Sequence, residues 1–170
     1  MLTNRDGSKE ILDWQSLYVM RKVGGEWKIA SFVGYLPSVM GGNEKAIHVP
    51  DAVQHVTAGP YSPVLSVTAG EIVVISGQAS INMAGDVVGD TIEEQSRYTL
   101  ENCLTQLGNA NCDFSDVFKV NVYLTDLADW DKFNAIYTDY MNEPYPARAA
   151  IQAGLLPGLQ VEIEMWAAKK

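Results

Sequence analysis

Residues 116–153 read DVFKVNVYLTDLADWDKFNAIYTDYMNEPYPARAAIQA, and this stretch decides the fold. From Asp116 to Leu124, Val117, Lys119, Asn121 and Tyr123 alternate with Phe118, Val120, Val122 and Leu124, the period of a strand. From about Leu127 to Met141 the period becomes helical, with Trp130, Phe133, Tyr137 and Met141 on one side. Pro144 and Pro146 stop that helix, and Ala147 to Ala153 returns to strand. Toward the C-terminus, Leu156-Pro157-Gly158 leads into a last strand, Leu159 to Ala167. Toward the N-terminus, Thr91 to Leu107 forms a helix on which Ile92, Leu100, Leu104 and Leu107 lie close to one stripe. Thr91 and Glu94 fit a capping box. Before it, the β-rich runs Val64 to Ala69 and Glu71 to Ser76 flank Gly70, a tight hairpin signal. The order β-β-α-β-α-β-β implies an α+β sandwich, with two helices on one face of a mixed sheet.

The first 45 residues stand apart. Leu17 to Val23, Gly24-Gly25 and Glu26 to Val33 read as a hairpin with a two-residue glycine turn. Pro37-Ser38-Val39-Met40-Gly41-Gly42-Asn43 reads as a linker. The expected division is therefore an extension, 1–45, and a main domain, 46–170. The hairpin segment, about residues 11–36, resembles the closing strands of SnoaL-like and nuclear-transport-factor-like cone folds. It supplies no candidate site residue. An isolated hairpin is marginal in water, so it must pack on the main domain or on a neighbouring subunit.

The charge is as uneven as the patterning. The 170 residues carry 12 Lys plus Arg against 21 Asp plus Glu, a net charge of −9. Residues 46–170 alone hold six basic and sixteen acidic side chains, which is −10. Such a body lacks the cationic footprint that phosphate binding needs, so neither nucleic acid nor an anionic membrane is an expected partner. With 47% apolar and 19% charged residues the chain can bury a core. The start MLTNRDGSKE has no apolar signal region, and no stretch approaches the length of a membrane span, so a cytoplasmic protein is expected. Cys103 and Cys112 read as reduced, mostly buried thiols, and His48 and His55 have no ligand-spaced neighbours, which argues against zinc.

Three features carry the candidate chemistry. Arg148 lies in the small apolar stretch Pro146-Ala147-Arg148-Ala149-Ala150-Ile151. Unpaired burial of a guanidinium is costly, so Arg148 either forms a structural ion pair or grips an external anion such as a carboxylate. Glu162 and Glu164 lie in Val161-Glu162-Ile163-Glu164-Met165-Trp166, where alternation sends both glutamates and Trp166 to one face. That face is solvated in a monomer and interfacial in an oligomer, and at an interface a desolvated carboxylate can exchange protons near neutral pH. Finally, Gly59-Pro60-Tyr61-Ser62 and Ile75-Ser76-Gly77-Gln78 pair a tight turn with a glycine at a strand end that lets a ligand approach the backbone. Tyr61 is either a hydrogen-bond donor to substrate or a half-buried aromatic.

These segments, together with Gln95, Leu100-Glu101-Asn102, Val117-Phe118-Lys119, Val122-Tyr123-Leu124 and Phe133-Asn134-Ala135-Ile136-Tyr137, resemble in order the Rid (RidA/YjgF-like) family of reactive-intermediate deaminases, from about Ile47 to the C-terminus. The resemblance implies a chorismate-mutase-like α+β fold and a homotrimer with sites at subunit clefts. It implies a cofactor-free hydrolase that converts enamines and imines of the 2-aminoacrylate type, the 2-iminopropanoate and 2-iminobutanoate class, into 2-keto acids and ammonia. By the same resemblance Arg148 clamps the substrate carboxylate and Glu162 positions or activates water. Ser76, Gly77, Asn134 and Tyr61 line the cleft, Tyr61 from a neighbouring subunit. Where many members carry Ser and Cys after the arginine, this chain has Ala149 and Ala150, so only the backbone N–H of Ala150 remains to meet a carboxylate. A non-catalytic trimer that binds 2-keto acids or other small carboxylates uses the same pocket and stands as the alternative. The RNA cleavage ascribed to some members conflicts with the −10 charge of residues 46–170.

Overall fold

The computed structural model describes residues 2–3, 9–10, 15–35, 47–51 and 59–169. Its contacts divide the chain into two units, Met1–Glu44 and Lys45–Lys170. In the first, β1 (Leu2–Thr3) pairs with β2 (Lys9–Glu10), and β3 (Gln15–Val23) pairs antiparallel with β4 (Glu26–Tyr35). Gly24 and Gly25 join β3 to β4 at φ 60° and 91°, the doubly positive turn that matches strand twist, so the glycine pair makes the predicted hairpin. Trp27 sits opposite Lys22, whose Nζ lies 6.0 Å over the indole ring. Residues 37–43, read as a linker, and His55 lie outside the described residues.

The second unit holds the core. Its elements are β5 (Ile47–His48), β6 (Ser66–Val67), β7 (Glu71–Ala79), α1 (Ile92–Asn109), β8 (Val117–Leu124), α2 (Trp130–Tyr140), β9 (Ala147–Gln152) and β10 (Val161–Lys169). The main sheet runs β7-β10-β8-β9, antiparallel except for the parallel pair β8 and β9, and is therefore mixed. Along β10 the side chains of Val161, Ile163 and Met165 are fully buried, while Glu162 and Glu164 are half-buried and Trp166 is exposed. The buried row meets Leu100, Cys103 and Leu107 of α1 and Phe133 and Tyr137 of α2 in one cluster, so both helices cover that face. No helix among the described residues is long and apolar enough to cross a membrane.

Two readings need correction. The expected hairpin about Gly70 does not form: β6 pairs with β5, and β7 pairs with β10. The Gly70 N–H donates to the Lys169 carbonyl (2.9 Å), so Gly70 opens the β7–β10 ladder instead of closing a turn. β7 also continues to Ala79, past its expected end at Ser76, which puts Gly77 inside the strand. The α1 stripe differs as well. Leu104 is 40% exposed, whereas Gln95, Ser96 and Thr99 are buried with Ile92, Leu100, Cys103 and Leu107. Hydropathy alone misplaces that face, because an amide and two hydroxyls are three of its seven buried side chains. The capping box forms as expected, with Glu94 N–H donating to Thr91 Oγ1 (3.2 Å) and Thr91 N–H to Glu94 Oε2 (3.1 Å).

Gln95 explains one of the motifs. It is 1% exposed, donates to the carbonyls of Gly89 (3.0 Å) and Gly158 (2.9 Å), and accepts from Gln160 N–H (2.8 Å). One amide thus ties the start of α1 to the turn before β10. Gln95→Ala leaves three backbone groups, partly shielded from solvent, without their partners and is expected to lower stability by about 2–4 kcal/mol. Urea denaturation measures this, and a loss under about 1 kcal/mol would show that the junction holds without the amide. Asn102 acts similarly at the far end of β7, donating to the carbonyls of Ala79 (2.9 Å) and Ile81 (3.1 Å).

Both cysteines are free and buried. Burial pushes the Cys103 thiol up to about 12.

Candidate functional site

Arg148 stands on β9 opposite Val120, in the parallel register with β8. Val120 is fully buried on the helix face, and paired residues share a face, so Arg148 also points toward the helices. There its guanidinium carbon lies 5.2 Å from the centroid of the Trp130 ring, 4.6 Å from Tyr137 and 6.0 Å from Phe133. These rings come from one side of α2, where Trp130, Phe133 and Tyr137 recur at helical spacing. Gly59 closes the cage: a Cβ there would lie 3.2 Å from Nη2 and 3.7 Å from Trp130 Cζ2. The Ser62 N–H donates to the Pro146 carbonyl (3.2 Å) and its hydroxyl to the Tyr145 carbonyl (2.5 Å), which fastens the 59–62 segment beside the start of β9.

No carboxylate of the described residues enters this cage. Among the described residues Arg148 makes no salt bridge, and its buried Nη1 and Nη2 have no hydrogen-bond partner. The structural ion pair considered above is therefore absent from the described residues. Burial pulls the guanidinium below its ordinary range, partly offset by the Tyr137 and Tyr61 hydroxyls. Aromatic faces hold the cation without neutralising it. Asn134 and Tyr137 lie on the same side of α2, and their Oδ1 and Oη are buried without partners too. Tyr61 lies on this side in the same chain, close enough for its hydroxyl to act on Arg148, so no neighbouring copy is needed to bring those two together. Ala153 N–H donates to the Leu124 carbonyl (2.9 Å). By alternation in a parallel ladder, Ala150 then turns its N–H to the open edge of β9, on the Arg148 side.

Glu162 belongs to a second group. On β10 it pairs with Ala79 of β7 and Tyr123 of β8. A bulge in β7 sets Ser76 and Gly77 against Glu164, since Ile163 pairs with Gln78 and Met165 with Ile75. The bulge draws Gly77 beneath Glu162: a Cβ at residue 77 would fall 2.0 Å from Glu162 Oε1 and 2.9 Å from Cδ. Only a residue without a side chain leaves that carboxylate its position. The neighbouring exposed Ser76 lines an open pocket of about 300 Å³ with Gln78, Gln106 and Asn109, which reaches neither Arg148 nor Glu162.

The two glutamates are not equivalent. Glu164 Oε1 accepts from Asn121 Nδ2 (2.5 Å) and Tyr123 Oη (3.1 Å), whereas Glu162 has no hydrogen bond or ion pair with any described residue. Burial and Glu164 together raise the Tyr123 phenol, which keeps it a donor. Glu162 thus has free lone pairs for an external proton.

Arg148 and Glu162 occupy opposite faces of one sheet. Arg148 shares the helix face with Val120, and Glu162 alternates with the buried Val161 and Ile163. The backbone of β8 and β10 stands between them, so a small ligand cannot touch both within one protomer. The outer face also exposes Val74, Ile151 and Trp166, with Phe118 edge-on to Trp166 (6.4 Å, 78°). Sequence reading singled out Arg148, Glu162, Gly77 and Asn134 but missed Trp130 and Tyr137 as neighbours of the cation. The available signal was their shared side of α2 just before the strand that carries Arg148.

Comparison with known proteins finds relatives in sequence and in fold. The family model described as endoribonuclease L-PSP matches residues 52–169. A human 2-iminobutanoate/2-iminopropanoate deaminase is 38% identical over 108 residues, covering 62% of this chain and 77% of that protein. A RutC family protein of Pyrococcus horikoshii is 40% identical over 114 residues, covering 66% of this chain and 89% of its own. Among solved structures, a Rid-family protein of Yersinia pestis, YyfA, superposes with a TM-score of 0.56 at 33% identity, covering 65% of this chain and 89% of that one.

Proposed function

This chain belongs to the endoribonuclease L-PSP (YjgF/Rid) family, and from that premise we propose that it hydrolyses small carboxylate-bearing enamines and imines of the 2-aminoacrylate type to 2-keto acids and ammonia. The observation that carries the reading is the contrast between its two glutamates: Glu164 is tied by two donors, and Glu162 lies free above a glycine that leaves it room. A free, positioned carboxylate suits proton transfer, which a binder of keto acids does not need. The unneutralised Arg148 supplies the other half, a cation for the substrate carboxylate. The acidic domain offers RNA phosphates nothing comparable.

In the proposed reaction the carboxylate of a 2-imino acid lies against Arg148, with the Ala150 N–H beside it. Water oxygen bonds to the imine carbon while Glu162 takes a water proton and passes it to the imine nitrogen, which gives the carbinolamine. Glu162 then takes the hydroxyl proton of the carbinolamine and delivers it to the amino group, the C–N bond breaks, and ammonia leaves as the keto group forms. Because free imines already hydrolyse, the acceleration required is about 3–5 kcal/mol, within the range of positioned acid–base catalysis.

Opposite faces call for two copies. The working assembly is a homotrimer in which Arg148 of one subunit faces Glu162 of the next across a cleft, the exposed Val74 and Trp166 face being covered between subunits. The test generates 2-aminoacrylate with a serine dehydratase and follows pyruvate release. The wild type is expected to accelerate release, and Glu162→Gln to abolish the acceleration while keeping pyruvate binding. Turnover that survives in Glu162→Gln would remove that residue from its role. Refolding Glu162→Gln together with Arg148→Ala should regain about a quarter of the activity, through clefts that pair the two intact residues. No recovery would show that both residues act from one subunit.

A further inference from the structure

We propose that Trp130 is a positioning residue that fixes Arg148 as a carboxylate clamp; this rests on the function proposed above. A clamp for an external anion has an inherent difficulty. The ordinary way to hold a guanidinium still is a bidentate carboxylate of the protein, and that carboxylate would compete with the substrate. In this chain the position is held by rings. The guanidinium carbon lies 5.2 Å from the Trp130 centroid and 4.6 Å from that of Tyr137, and no acidic side chain among the described residues pairs with it. Ring quadrupoles attract the cation yet leave its formal charge and its N–H donors uncompensated.

Trp130 differs from the other two rings. Phe133 and Tyr137 are fully buried and belong to the main core cluster, so their loss acts on the whole fold. Trp130 is half-buried, is the first residue of α2, and has its Cζ2 where a Cβ on Gly59 would lie 3.7 Å away. Removing its ring opens one side of the cation while leaving the core row of α2 in place. The guanidinium then samples orientations that present a single N–H, and ground-state capture of the carboxylate suffers more than the proton transfer at Glu162.

The test compares wild type, Trp130→Phe and Trp130→Leu. Both variants are smaller and apolar, and only phenylalanine offers a ring face. Pyruvate affinity is measured by calorimetry, KM and kcat with 2-aminoacrylate, and stability by urea denaturation. Trp130→Leu is expected to weaken pyruvate binding and raise KM by about 5- to 30-fold with kcat within about threefold, and Trp130→Phe to recover binding to within about threefold of wild type. Wild-type affinity in Trp130→Leu would overturn the inference, as would a Trp130→Phe variant as weak as Trp130→Leu at equal stability. If wild type neither binds pyruvate nor turns over 2-aminoacrylate, the proposed function falls and the inference with it. If wild type does both, and only Trp130→Leu shows no effect, the inference falls alone.

Discussion

Gly77→Ala is expected to remove most of the turnover without destabilising the fold. A methyl group at residue 77 would stand 2.0 Å from Glu162 Oε1, where ordinary contact begins at 3.4 Å. The carboxylate ends a flexible side chain and is half-buried, so it can swing away at little cost to the fold. The displacement is more than 1 Å, enough in a positioned proton transfer to lose on the order of 100-fold in kcat. Stability should rise by up to about 1 kcal/mol, since alanine loses less backbone freedom in a strand than glycine does. The coupled dehydratase assay reads the first effect and urea denaturation the second. Activity within threefold of wild type would mean that the observed seat of Glu162 is not its working position.

Arg148→Met is the second large effect, and its signature is the opposite of that for a structural ion pair. Removing one partner of a buried pair strands the other charge, at about 3–5 kcal/mol. Arg148 has no such partner among the described residues, so methionine strands nothing; it relieves a desolvated cation and loses the cation–π contacts with Trp130 and Tyr137. These opposing terms should leave stability within about 1 kcal/mol of wild type. Binding of pyruvate should fall by about 100-fold, the cost of losing a charge-assisted bidentate contact in a largely buried site. Arg148→Lys keeps the charge without the fork and should recover only part of the affinity. A loss of more than about 3 kcal/mol of stability in Arg148→Met would identify Arg148 as a structural residue, and unchanged pyruvate binding would end its role as the clamp.

Both effects act through residues that the sequence brings to notice for different reasons. Arg148 is conspicuous as one of two arginines after position 45, set among alanines. Gly77 is conspicuous as a glycine near the end of a β-rich run, although the expected reason, access for a ligand, is not the one observed. Here the glycine makes room for Glu162. Trp130 and Tyr137 carry only the weaker signal of a shared side of α2, because an aromatic on the apolar side of a helix looks the same whether it packs on leucine or on a guanidinium.

Local physics was legible throughout. Two-residue alternation placed β8 and β10, helical spacing placed α2, the Thr91–Glu94 pair capped α1, and the glycine pair turned the N-terminal hairpin, because each depends on residues within a few positions of one another. Strand pairing is not local. Whether Gly70 turns β6 back on β7 or starts the β7–β10 ladder depends on a carbonyl at Lys169, at the far end of the domain. The same holds for the burial of Gln95, whose partners Gly158 and Gln160 stand more than 60 positions away, and for the exposure of Leu104. By itself, then, the sequence determined the element types, the α+β class, the acidic charge, and the residues from which a site can be built. The tertiary structure decided that, among the described residues, Glu162 and not Glu164 is free, that rings and not an acid hold Arg148, and that Arg148 and Glu162 lie on opposite faces of one sheet. Those three outcomes follow from the order β7-β10-β8-β9 and its bulge, which set residues distant in the chain against one another.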